Sequence, residues 1–135
     1  DLQRFVDLSR IGICALAGGT CPSVMDYVQG YVNERVAFGE PISNRQAVAF
    51  MVADMAIELE AMRLMVWRAA SRAQQGLDFH QQAYLAKVAC GENAMKIGTD
   101  GVQLLGGHGY CREHPVELWY RNLRAIAILD GVASI

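Results

Sequence analysis

The side chains that most directly suggest chemistry lie in the last third of the chain. His108, Cys111 and His114 occur at the spacing H-x2-C-x2-H, which invites interpretation as a metal site. Zinc bound by these three side chains would need a fourth ligand, and only carboxylate side chains lie nearby in the sequence. The spacing by itself is therefore a weak signal for a metal.

Two aspartates stand out by their positions. Asp130 precedes Gly131, and such a pair is typical of a helix end with glycine as its C-cap. An acid is disfavoured there, because the last turn carries the negative pole of the helix dipole, so Asp130 is unusual as a plain surface residue. Asp7 lies three residues before Arg10, which is the spacing of an ion pair on a helix surface.

Two other polar residues precede glycine turns. Arg35 comes shortly before Gly39, and a cation near a helix C-terminus is favourable in any protein. Gln103 comes before Gly106 and Gly107, which is typical of a helix end with a double-glycine cap. The segment is not a G-x-G-x-x-G dinucleotide motif, because no strand is predicted before it. Neither motif identifies a ligand on its own.

The elements that must position these residues are helical, because apolar residues recur at helical spacing and alternation with period two is nowhere sustained. The pattern predicts four helices, over about 2–36, from a cap at Ser43 or Asn44 to about 75, over 80–105 and over 116–129. Pro22 should kink or interrupt the first helix, and Gly76 should end the second. Long helices joined by short loops predict an all-α fold, an antiparallel up-and-down four-helix bundle.

The composition predicts more buried surface than one small bundle needs. Apolar residues make up 53% of the chain and charged residues 19%, against averages of about 45–50% and 25%. The second helix carries two apolar stripes, which predicts burial on two sides. One stripe is Ala47, Phe50, Met51, Ile57, Ala61 and Leu64, and the other is Val48, Val52, Met55, Leu59, Met62 and Val66. Contacts between domains or subunits would cover the excess.

Length and charge exclude several classes of protein. The 135 residues suffice for one domain, and the net charge of −2 without a basic stripe argues against nucleic-acid binding. The longest apolar stretch, 11–25, contains glycines and a proline and is shorter than the ~20 residues of a membrane span. Four cysteines without a CxxC pair predict reduced, mostly buried thiols of an intracellular protein. We interpret residues 1–135 as a single domain from a longer chain.

Short motifs recur along the whole chain in a fixed order. They are Asp7-Leu8-Ser9-Arg10, Arg35-Val36-Ala37-Phe38-Gly39, Arg45-Gln46, Gln103-Leu104-Leu105-Gly106-Gly107-His108-Gly109-Tyr110, Pro115-Val116-Glu117 with Tyr120-Arg121, and Ile128-Leu129-Asp130-Gly131. Each is weak alone. Together they resemble the C-terminal helical domain of the acyl-CoA dehydrogenases, which are FAD-dependent flavoenzymes, and no metal is expected in the family's glycine-rich loop.

The resemblance implies binding roles for most of these residues. The positions that match contacts to FAD, in part from a neighbouring subunit, are Arg35, Val36, Ala37, Phe38, Arg45, Gln46, Gln103, Leu104, Leu105, Gly106, Gly107, Val132 and Ser134. The positions that match contacts to the acyl-CoA substrate are Asp7, Arg10 and Gly131. A guanidinium suits the pyrophosphate of FAD, because it is planar and always charged.

The resemblance also identifies the catalytic base. Most members of the family carry a Glu where this chain has Asp130, and that Glu removes the α-proton of the acyl thioester. Asp is one methylene shorter, and a misplacement of about 1 Å can cost ~10²-fold in rate. Some members place the base just before the Arg of the first motif instead, but this chain has Ser9 there. Asp130 is thus the one candidate that the family supports.

The implied activity is oxidation of an acyl-CoA to its trans-2-enoyl form, with electrons passing to an electron-transferring flavoprotein. The family is typically a homotetramer, in the bacterial cytoplasm or the mitochondrial matrix. The isolated domain is expected to bind FAD weakly and to be inactive. Two alternatives stay open: a weakened partner subunit or acyl-CoA binder, favoured by Asp130 and by Val132 in place of a Thr, and an acyl-CoA oxidase.

Overall fold

The computed structural model describes residues 2–130, which are mostly helical. The four α-helices are α1 (Leu2–Glu34), α2 (Gln46–Gln74), α3 (His80–Leu105) and α4 (Val116–Ile126). A hairpin of two short strands, β1 (Val36–Ala37) and β2 (Glu40–Pro41), and a 3-10 turn (Ile42–Asn44) connect α1 to α2. A second 3-10 turn, Gly106–Tyr110, follows α3. The all-α prediction is confirmed, and Gly131, Val132 and Ser134 lie outside the described residues.

The helix bounds agree with the predicted ones to within about three residues, and α4 ends at Ile126 instead of near residue 129, because residues 127–130 form a turn. Two further details, at Pro22 and at the start of α2, were wrong. α3 spans the predicted residues, and Gly76 follows α2 with a φ of +70°. α1 continues through Pro22 without interruption and ends at Glu34, because the hairpin begins directly after it. The predicted side-chain cap of α2 is absent, since residues 42–44 form their own 3-10 turn and Arg45 is the N-cap.

Glycines on α3 bring its neighbours close. A Cβ at Gly101 would lie 2.6 Å from Val24 on α1, and one at Gly98 would lie 3.3 Å from the backbone of Tyr120 on α4. Glycine thus makes room for the Val24 side chain at one position and for the α4 backbone at the other, and α1 and α4 both pack on α3. The same packing carries the end of α4, and Asp130 after it, onto the first half of α3.

α2 is buried on one side only within this chain. The stripe that contains Met55, Met62 and Val66 lies in the core. On the other stripe, Phe50 and Leu64 are 59% and 60% exposed. The prediction of burial on two sides was therefore wrong for the domain alone, because α1 and α3 cover a single face of this helix.

α1 is long and apolar enough to cross a membrane by length and composition alone, with a mean hydropathy of 1.3 over an 18-residue window. A third of that window (33%) is buried against the rest of the domain. Core helices pass the same criterion, and α1 packs against α2, α3 and α4. This packing accounts for part of its apolar character.

Candidate functional site

Asp130 lies in the turn that follows α4, and its side chain meets the N-terminal half of α1. Its φ of +59° is left-handed, a conformation that Asp adopts more readily than most residues. The hydroxyl of Ser9 donates a hydrogen bond to the Asp130 carboxylate, across 121 residues of sequence. The fold thus brings together the two positions at which the family resemblance places a catalytic base.

Lys87, which the sequence analysis did not single out, lies on α3 beneath this turn. It is 1% exposed, and its Nζ donates to the backbone carbonyls of Ile126 and Leu129. Burial lowers the pKa of the Lys87 ammonium, and the charge of Asp130 partly offsets that effect. A signal was present in the sequence, since Lys87 stands between apolar residues such as Ala86 and Cys90 on the buried face of α3.

Asp7 forms a buried cluster near the same end of the domain. It is 2% exposed, so the predicted ion pair with Arg10, at 3.2 Å, is not a surface pair. The ring Nδ1 of His80 lies 3.0 Å from the same carboxylate, and Gln3 donates to it at 3.1 Å. Within residues 2–130 the buried Nε of Arg10 has no acceptor. Of the two predicted substrate contacts that lie within the described residues, Asp7 and Arg10, Arg10 therefore retains a donor for a further partner.

The predicted cofactor residues lie at the other end of α1 and α3. Arg35 and the segment from Gln103 to Gly107 line a shallow cavity of about 350 Å³, together with Tyr31 and Ile42. Gly106 has a φ of +60°, which glycine tolerates best. The exposed guanidinium of Arg35 and the exposed Gly-Gly backbone thus meet at one cavity, as a binding site for a phosphate-containing ligand requires.

The hairpin and the start of α2 flank this cavity. The Arg45 guanidinium lies 4.9 Å from the centre of the Phe38 ring and 4.0 Å from the Glu40 carboxylate. Phe38 is 93% exposed, and Val36 and Gln46 are also exposed, while Ala37 is half-buried. Leu104 and Leu105 are buried, so any contact that they make with a ligand would come from the backbone.

The two histidines of the H-x2-C-x2-H segment form a ring cluster instead of converging with the cysteine. The rings of His108 and His114 lie 5.2 Å apart, and each Nδ1 is 2.7 Å from a tyrosine hydroxyl, of Tyr31 and Tyr27 respectively. The Cys111 thiol faces the Gly107 carbonyl instead. In the part of the chain that the structure describes, no group of three or more His, Cys, Asp or Glu side chains is arranged to bind a metal.

The other three cysteines are buried, in agreement with the sequence prediction. Burial raises the pKa of Cys21 to about 12. A hydrogen bond with Cys14, together with burial, raises the pKa of Cys90. Cys21 and Cys90 thus stay protonated and packed at neutral pH, which suits a structural role.

The two predicted sites are far apart in one chain. Ser9 and Arg35 are separated by nearly the whole length of α1, and a helix rises about 1.5 Å per residue, which gives roughly 40 Å. The cavity beside Arg35 and the Asp130 carboxylate of the same chain therefore lie at opposite ends of α1.

Comparison with known proteins identifies this class of domain. The acyl-CoA dehydrogenase C-terminal domain family model matches residues 2–135. The human mitochondrial short-chain specific acyl-CoA dehydrogenase is 39% identical over 133 residues, which cover 98% of this chain and 32% of that protein. The CarC subunit of the caffeyl-CoA reductase-Etf complex of Acetobacterium woodii is 36% identical over 135 residues, covering 100% of this chain and 36% of that protein.

Solved structures agree with the sequence matches. Butyryl-CoA dehydrogenase from Megasphaera elsdenii superposes with a TM-score of 0.94 at 34% identity, covering 97% of this chain and 34% of that one. The chain therefore belongs to the acyl-CoA dehydrogenase family, as the C-terminal domain, and the resemblance drawn from the motifs is confirmed. It spans about a third of the length of these relatives.

Proposed function

We propose that this domain belongs to an FAD-dependent enzyme that oxidises an acyl-CoA to its trans-2-enoyl-CoA, and that Asp130 is the catalytic base. The observation that carries the proposal is the Asp130 carboxylate, which lies against the Ser9 hydroxyl at the junction of α1, α3 and α4. A base must have a fixed carboxylate oxygen; here Ser9 donates to the carboxylate, and Lys87 donates to the backbone carbonyl of the preceding residue, Leu129. The family membership supports the same assignment.

In the proposed reaction the Asp130 carboxylate removes the pro-R α-proton of the thioester. FAD supplies the acceptor for the hydride that leaves the β-carbon, so that a double bond forms between the two carbons. The hydrogen bond from Ser9 holds one oxygen of the Asp130 carboxylate, the group that accepts the proton. Arg10, with its free Nε nearby on α1, is proposed to contact the acyl-CoA.

The cavity beside Arg35 fits the phosphate-containing part of FAD. Its guanidinium offers a charged fork, and Gly106 and Gly107 allow the backbone to approach a cofactor closely. We propose Arg35, Arg45, Gln46 and Gln103 as its polar contacts, and the remaining contacts at Val36, Ala37, Phe38, Leu104, Leu105, Gly106, Gly107, Val132 and Ser134. Gly131 is proposed to contact the substrate.

The whole enzyme is proposed to be a homo-oligomer, a homotetramer by family analogy. The separation of roughly 40 Å between the Ser9 and Arg35 ends of α1 supports a second chain at each flavin. The exposed apolar face of α2, with Phe50, Ile57 and Leu64, supplies surface that such contacts would cover. Contacts within the chain support an up-and-down, antiparallel order of the four helices. Tyr31, near the end of α1, meets the C-terminal end of α3, and Asp7, near the start of α1, meets the beginning of α3. The first and third helices therefore run in the same direction, as that order requires.

The electron acceptor is proposed to be an electron-transferring flavoprotein. Support comes from the Acetobacterium woodii relative, whose name places it in a complex with such a protein. The relatives include mitochondrial and bacterial proteins, which agrees with a matrix or cytoplasmic location. We propose that residues 1–135 are one domain of a longer chain, and that on their own they bind FAD weakly and show no turnover.

The test is anaerobic bleaching of the flavin in the full-length protein by a panel of acyl-CoAs. Bleaching by one class of thioester that Asp130→Ala abolishes, while Asp26→Ala retains it, is the expected result. Asp26 is a suitable control because it is an exposed acid on α1, away from the turn. Bleaching that persists in Asp130→Ala would show that another group is the base.

Two other outcomes correspond to the alternative functions. Bound FAD that no thioester bleaches would favour a weakened partner subunit or acyl-CoA binder, which the shorter side chain of Asp130 motivates. Rapid oxygen consumption by the reduced enzyme would favour an acyl-CoA oxidase.

A further inference from the structure

A buried lysine that the proposed reaction does not use lies under the end of α4. Lys87 is 1% exposed, whereas Lys96, the other lysine of the chain, is exposed and pairs with Asp100 at 3.0 Å on the helix surface. Burying an ammonium group is costly unless hydrogen bonds replace the lost water. The position of Lys87 therefore calls for a specific partner.

The partners are backbone carbonyls at the end of α4. The last carbonyls of a helix lack a partner within it, and Nζ of Lys87 donates to the carbonyl of Ile126, the last residue of α4, and to that of Leu129 in the turn that follows. The carbonyl of Leu129 belongs to the peptide group that joins it to Asp130. Lys87 thus holds the peptide from which the Asp130 side chain projects.

The surroundings of the ammonium contain few charges. Arg10 and Cys14 face it from α1, Cys90 from α3, and Asp130 from the turn after α4. The Asp130 side chain is the one carboxylate among these groups. The Lys87 ammonium therefore attracts the Asp130 carboxylate, while its hydrogen bonds fix the backbone of the turn.

We propose that Lys87 is a positioning residue, which places the Asp130 carboxylate by fixing the Leu129–Asp130 peptide. The inference rests on the proposed function, in which Asp130 is the base. An aspartate has fewer side-chain torsions than a glutamate, so its backbone decides where its oxygens lie. Since a misplacement of 1 Å can cost ~10²-fold in rate, a fixed peptide matters for this base.

The test compares Lys87→Met with Lys96→Met in the full-length, FAD-loaded protein. Methionine keeps an unbranched apolar stem, one atom shorter than lysine, but cannot donate a hydrogen bond. With saturating butyryl-CoA under anaerobic conditions, we expect the rate constant of flavin bleaching to fall about 10- to 100-fold in Lys87→Met. The bleaching amplitude, the FAD content and the butyryl-CoA affinity should stay within twofold of Lys96→Met.

Comparing the rate constant with the amplitude of flavin bleaching distinguishes a positioning role of Lys87 from an effect on stability alone. A purely structural role would leave fewer folded molecules, which bleach with reduced amplitude at an unchanged rate constant. That result, or a rate constant equal to that of Lys96→Met, would overturn the proposal. If Lys87→Met loses its flavin, Lys87→Gln is measured instead, because it keeps a shorter neutral donor; loss of flavin in both would also count against the proposal.

Asp130→Ala, measured in parallel, keeps the two proposals distinguishable. If Asp130→Ala bleaches at the parent rate, the proposed base is wrong. If Asp130→Ala is inactive but Lys87→Met equals Lys96→Met, then Asp130 remains the base and only the positioning role of Lys87 fails.

Discussion

The Asp130 end of the domain and the Arg35 end differ in how their polar groups are satisfied. At the Asp130 end, Asp7 and Lys87 are 2% and 1% exposed, and each has partners from another helix. At the other end Arg35 is exposed, and the nearby Gly106 and Gly107 offer backbone groups to an open cavity. Asp7 and Lys87 are thus satisfied by their own chain, although Asp130 is exposed, whereas the groups at the Arg35 end remain open to a ligand.

This difference indicates what each end is built to do. Buried charges with several partners hold their positions well, and breaking them leaves an unpaired charge, which costs stability. Exposed hydrogen-bond donors beside glycine cost little free energy when no ligand is bound, because water accepts their hydrogen bonds. Changes at the Asp130 end should therefore affect rate and stability, whereas changes at the Arg35 end should affect ligand retention alone.

The largest effect is expected for Asp130→Ala. Loss of a general base removes about 10²–10⁴-fold in rate, so flavin bleaching by an acyl-CoA should become at least a hundred times slower. The variant should keep its FAD, because the cavity lies at the other end of α1. Stopped-flow absorbance of the full-length protein measures the rate, and a loss of FAD along with the rate would contradict the separation of the two ends.

Asp7→Asn should be the most destabilising substitution of the cluster. It removes the charge that Arg10 and His80 face, and we expect the domain to lose about 2–3 kcal/mol, below the range for a fully buried pair because His80 is half exposed. Glu60→Gln is the control, since its pair with Arg63 is exposed and worth under about 1 kcal/mol. Denaturant unfolding of the full-length protein gives the unfolding midpoints of the two variants. Equal midpoints would show that burial does not make the Asp7 ion pair more stabilising than the exposed pair.

Arg35→Ala should weaken FAD binding without changing stability. Removing one charge-assisted contact to a phosphate typically reduces affinity about tenfold or more. Arg112→Ala is a matched control, because Arg112 is also exposed but does not line the cavity. Equilibrium dialysis of the full-length apoprotein gives the two dissociation constants, and equal values would argue that the cavity does not hold the cofactor.

The smallest effect concerns the buried thiols and pH. Burial raises the pKa of Cys21 to about 12, so above pH 9 the unfolded chain releases a proton that the folded chain retains. The stabilisation from this thiol is complete below pH 9 and is lost as the pH rises towards 12, by up to about 1.4 kcal/mol per pH unit.

Cys21→Ala tests this dependence. The variant should be less stable at neutral pH because it leaves a small cavity, but its unfolding midpoint should fall less steeply between pH 9 and 11. Parallel pH dependences for the parent and the variant would show that this thiol does not titrate differently in the two states.

The sequence by itself determined the family, the all-α class and most helix ends. Helical periodicity and glycine stops are local, so the bounds of α3 and the turn at Gly76 could be predicted from short windows. The motifs around Arg35 and Gly107 indicated the family for the same reason, because each is a short run of neighbouring residues. The predicted cap at Ser43 or Asn44 was wrong, because the hairpin and the 3-10 turn that displaced it depend on strand pairing.

Only the tertiary structure decided how the site is assembled. The hydrogen bonds from Ser9 to Asp130, from Lys87 to Leu129 and between His80 and Asp7 join residues 121, 42 and 73 positions apart. No local pattern encodes such pairs, because they form only after the close packing on α3 has set the helices against one another. The same packing of the helices buries Lys87 and Asp7.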